Sequence, residues 1–134
     1  MKTLLKMTIA AAAVFTLTTS SYAADVQKEC NVKANGIEAV LATASKYNAM
    51  AKKQGLEFMR LGMKTTQYID GTKAAVKAGS KTVDILNKKK KKTGTVTTEY
   101  AAWRACSFAV SAIEQAKEAK STWRLAIPGD GYKY

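Results

Sequence analysis

The chain contains no histidine, only two cysteines and one proline, and its 10 acidic residues face 22 lysines and arginines. Each shortage closes a class of chemistry. Without imidazole there is no His general base, no His-containing triad and no His-ligated metal or haem. Two cysteines are too few for a four-thiolate zinc site or an iron–sulfur cluster, and no CxxCH offers a c-type haem attachment. Acidic pairing is sparse. Glu114 and Glu118 share a helical face, but Lys117 and Lys120 stand beside them, which reads as surface ion pairing. Lys92-Thr93-Gly94 matches one box of the penicillin-binding enzymes without the SxxK that would have to accompany it. Met59 and Met63 lie four apart, as Cu(I) ligands would, yet no imidazole supports them and packing explains them better. The expectation is a protein that is not an enzyme and holds no cofactor or metal.

Long apolar runs are also scarce, and the longest lies at the start. Lys2 and Lys6 precede the apolar stretch Met7–Leu17, and Ser21-Tyr22-Ala23 puts small residues where signal peptidase requires them. Residues 1–23 read as a cleaved secretory signal, and 24–134 as a single helical domain with a short C-terminal tail. About 111 residues and a formal charge of about +10 would remain. The expected location is the periplasm or the exterior of a bacterial cell. Export takes Cys30 and Cys106 into an oxidising compartment, where an isolated pair becomes a disulfide. The loop it closes is worth about 4 kcal/mol in chain entropy.

The remaining pattern is helical. From Asp25 to about Lys53, Val26, Cys30, Ala34, Ile37, Leu41, Ala44, Tyr47 and Ala51 recur at three- and four-residue steps, with Gln54-Gly55 as a stop. From Leu56 to about Asn87 a second apolar stripe runs through Phe58, Leu61, Tyr68, Ile69, Val76, Val83 and Leu86. A third runs from about Thr97 to Ala126 along Ala102, Trp103, Cys106, Ala109, Val110 and Ile113. These spacings predict an all-α fold: three long antiparallel helices in an up-down-up bundle, four if the second breaks at Asp70-Gly71. Cys30 and Cys106 would link the first helix to the last.

Basic charge carries the functional signal. Lys88, Lys89, Lys90, Lys91 and Lys92 are consecutive, and Lys73, Lys77 and Lys81 precede them at four-residue steps. On a continuous helix they form a ridge running into a basic loop, a surface suited to a polyanion. In an exported protein the candidates are lipopolysaccharide, acidic glycan, DNA or an anionic lipid headgroup. A different reading makes the lysines a solubilising surface. Phe108 and Trp123, off the main stripe of the third helix, then form an apolar face for a protein partner or a second copy. A membrane-active protein whose basic second helix leaves the bundle is a further possibility.

Overall fold

A computed structural model describes residues 25–60 and 62–122. The proposed signal segment and Trp123 lie outside the described residues. The fold is mixed α/β, with two small antiparallel hairpins set among the helices. The all-α bundle of three long helices is therefore incorrect: the described residues are about 65% helix and 15% strand.

The first long helix is interrupted twice. Asp25 caps a single turn, α1 (Val26–Glu29), through its Oδ1, which accepts the N–H of Gln27 at 2.8 Å. Asn31 caps a second turn, α2 (Val32–Asn35), by accepting from Ala34 N–H at 3.0 Å. Gly36, at φ +81°, then turns the chain into α3 (Ile37–Lys53). Side-chain acceptors this close to the backbone compete with helix continuation. At its far end α3 stops where Gln54-Gly55 predicts. Leu56 N–H reaches Ala51 O and Gly55 N–H reaches Lys52 O, a Schellman closure.

The second predicted helix is largely replaced. Glu57 and Phe58 clamp the start of α4 (Thr65–Lys77). Phe58 O accepts from Thr65 N–H at 3.0 Å, and Glu57 Oε1 accepts from Thr66 N–H at 2.9 Å. The chain between them folds into a short hairpin, β1 (Met59–Arg60) and β2 (Met63–Lys64), pairing Met59 with Lys64 and Arg60 with Met63. α4 runs unbroken through Asp70-Gly71, so the alternative break there is also absent. It ends instead at Gly79, whose φ of +67° permits a second Schellman closure, with Ser80 N–H on Ala75 O. Beyond that turn the chain forms a hairpin, β3 (Thr82–Leu86) and β4 (Lys92–Thr97), running from Thr82↔Thr97 to Leu86↔Lys92 with an irregularity between Ile85 and Leu86. β4 leads directly into α5 (Thr98–Thr122).

α5 is the spine. Val40, Leu41 and Ala44 of α3 share a core with Ala102, Ala105, Cys106 and Val110, while Ala51 at the end of α3 meets Ala112 and Ile113. α3 and α5 therefore run in the same direction, and the alanines let them approach closely. α4 runs opposite: its Tyr68 ring meets Phe108, and its Ala75 meets Ala101 together with Val83 of β3. Cys30, at the end of α1, and Cys106 of α5 form the expected disulfide, with Cα atoms 5.5 Å apart and both residues fully buried. It pins the two single-turn helices, too short to persist alone, across the spine.

Candidate anion-binding hairpin

The lysine run lies at the tip of the β3–β4 hairpin, with Lys88–Lys91 in the connection and Lys92 opening β4, not at the helix–helix junction expected from the sequence. Asn87 organises it. Its Oδ1 accepts from both Lys89 N–H (2.9 Å) and Lys91 N–H (3.0 Å). Its backbone closes the loop twice more, donating to Lys91 O and accepting from Lys90 N–H, each at 2.9 Å. Lys90 sits at φ +59°, a left-handed conformation that glycine or asparagine adopts at lower cost. Lys88, Lys89, Lys90 and Lys91 are exposed and make no ion pair among the described residues. Lys92 differs: its Nζ lies 2.7 Å from Asp84 across the hairpin. Four ammonium groups are thus displayed on a loop whose backbone is hydrogen-bonded from within.

The upstream lysines do not continue this surface. Lys73 and Lys77 lie on α4, beside an open groove against α3 of about 540 Å³ that Glu38, Leu41 and Val76 also line. Lys81 lies in the turn before β3, where its carbonyl accepts Thr98 N–H at 2.9 Å. Strand β3 then separates Lys81 from Lys88 by about 20 Å. The single ridge drawn through Lys73, Lys77, Lys81 and Lys88 depended on a helix that ends at Gly79, so Lys88 stands apart from the other three.

The aromatic residues also fall differently. Phe108 is half-buried, edge-on to Phe58 and Tyr68 with ring centroids 6.1 Å away in each case. The Arg104 guanidinium covers it at 4.6 Å and reaches Tyr100 and Trp103 at 5.9 Å each. Trp103, expected in the apolar stripe, is 36% exposed, and its neighbour Tyr100 is 42% exposed. Burial raises the Tyr68 phenol above its ordinary value, with Tyr100 adding to the rise while Arg104 and Arg60 oppose it.

One polar cluster had no signal in the apolar pattern. Burial pushes the Glu57 carboxyl up, but hydrogen bonds from the Thr66 hydroxyl, Thr66 N–H and Asn48 Nδ2 outweigh that and hold it below its ordinary range. Its position explains it: an anion at the first turn of α4 complements the positive helix end. The role is structural. Among the described residues no group of three or more His, Cys, Asp or Glu side chains is placed to hold a metal ion. No described helix is long and apolar enough to cross a membrane. No family model matches the chain, and no curated protein or solved structure shows significant similarity to it.

Proposed function

We propose that the chain is an exported, non-enzymatic binding protein that engages an anionic polymer or surface through the β3–β4 hairpin. The observation carrying this reading is the display of Lys88, Lys89, Lys90 and Lys91 on an internally hydrogen-bonded turn. A run of lysines in a solvated linker would spread its charge over many conformations. Here the ammonium groups share one small, preorganised surface, which lowers the ordering cost of binding. Lysine at the left-handed position supports the same reading, because glycine would relax the backbone there and sacrifice a charge. The signal-like N-terminus and the Cys30–Cys106 disulfide support export.

The test is binding of purified protein to lipopolysaccharide and to duplex DNA at low salt, beside a variant with Lys88, Lys89, Lys90 and Lys91 changed to Ser. Both should bind at low salt, the wild type far more tightly than the folded variant. Equal binding by both would move the function away from the hairpin. A second reading rests on Tyr100 and Trp103, whose exposed rings beside Arg104 resemble the anchors of protein interfaces. It would give these residues the partner-docking role that the sequence pattern suggests for Phe108 and Trp123. Its signature is a concentration-dependent mass, or partner capture lost in Trp103→Ser.

A further inference from the structure

The two hairpins meet at their tips. A side chain on Gly62 would place its Cβ 2.6 Å from the backbone nitrogen of Lys88, so only glycine permits the approach. Above this contact lies an open cleft of about 650 Å³ lined by Met59, Gly62, Asn87, Lys88 and Lys89. Met59 is 54% exposed, the most exposed of the large apolar residues described. Its cross-strand partner is Lys64, and directly paired residues project from the same face of a hairpin. A flexible apolar side chain therefore sits among Lys64, Lys88 and Lys89.

Resting on the polyanion reading above, we propose that this two-hairpin cleft docks the protein onto an anionic lipid surface. A polymer of phosphates or sulfates would satisfy the ammonium groups and leave Met59 in water. A lipid headgroup layer offers both chemistries at adjacent depths. Its phosphates pair with Lys64, Lys88 and Lys89, and the boundary of its acyl chains receives the thioether while the lysine stems lie alongside. Binding is peripheral and reversible, since one apolar side chain and a basic cluster together make a modest anchor. No helix has to leave the core.

Vesicle co-sedimentation tests this with equimolar phosphatidylcholine and phosphatidylglycerol, against phosphatidylcholine alone and against duplex DNA. The protein should bind the anionic vesicles and not the zwitterionic ones. Met59→Ser should weaken vesicle binding about fivefold, Met59→Leu should preserve it, and DNA binding should be the same in all three proteins. Because Met59 is exposed, both variants should fold, which circular dichroism verifies. Equal vesicle binding by Met59→Ser and the wild type would overturn the lipid assignment. So would binding to DNA without binding to anionic vesicles, which would leave the polyanion reading standing. Binding to neither would remove both.

Discussion

Gly62, Glu57 and Lys90 each carry a distinct backbone or charge constraint. At φ +89°, with the Lys88 backbone against it, Gly62 has no room for a side chain and a conformation that side chains disfavour. Gly62→Ala should destabilise the protein by more than about 1 kcal/mol, measured by urea unfolding, because strain and clash act together. Gly71 is the opposite case: it lies inside α4, and an added Cβ would meet only Val83 Cγ1 at 3.4 Å. Gly71→Ala should stabilise by up to about 1 kcal/mol, the helix-propensity difference. Glu57 links stability to acidity. Its carboxyl titrates below the ordinary value of 4.5 when folded, so just below that pH the unfolded chain takes up a proton that the folded chain does not. The stabilisation is present above pH 4.5 and is lost as pH falls through the folded pKa. Glu57→Gln should therefore flatten the acid limb of a stability-versus-pH curve and lower stability at neutral pH. Lys90→Gly should stabilise the fold by up to about 1 kcal/mol by relieving the left-handed strain, and should weaken anion binding by removing a charge.

Among the elements, the β3–β4 hairpin is the one on which the proposed function depends, and the apolar stripe concealed it. Val83 and Leu86 fit a helical face, but Gly79 ends α4 in a left-handed turn and the residues beyond it alternate like a strand. Val83 is buried between the exposed Thr82 and Asp84, and Val96 is covered between Thr95 and Thr97. The density of β-branched residues at 82, 83, 85, 93 and 95–98 was a readable strand signal. Helical periodicity outweighed it because short apolar runs fit both periods. α5 and the end of α3 were legible since alanine-rich stripes and Gly55 are unambiguous. Asp25 was readable as the N-cap that opens the first helix, but nothing in the apolar spacing said that Asn31 and Gly36 would divide it. Asn87 makes the lysine loop a defined turn. Asn87→Ala removes the acceptor for Lys89 N–H and Lys91 N–H and should cost about 1 kcal/mol. It should also weaken anion binding without altering a single charge, a result that an unstructured linker would not give. The measurement is the affinity for duplex DNA beside hydrogen exchange of the Lys89 and Lys91 amides.

On the scale of the whole molecule, the basic balance and the cysteine pair were legible from composition, while the placement of the charge was not. A continuous helix would have gathered Lys73, Lys77, Lys81 and Lys88 on one side. The turn at Gly79 instead leaves two of them beside the α3–α4 groove and sends the lysine run to the tip of a hairpin. The disulfide holds the α1–α2 segment to the spine, and both its residues are wholly buried, so reductant should reach it only after local opening. Replacing Cys30 and Cys106 together by Ser should cost about 4 kcal/mol in unfolding free energy, the loop-closure value for a link spanning 76 positions. Such a loss would take most of the stability of a domain this small. Whether the hairpin lysines bind an anionic surface is read from the salt dependence of binding to duplex DNA. If they do, affinity should fall steeply with salt, with a log–log slope about 3 to 4 units steeper than that of a folded variant carrying Ser at positions 88–91. Equal slopes for the two proteins, or no binding by the wild type at low salt, would contradict that role.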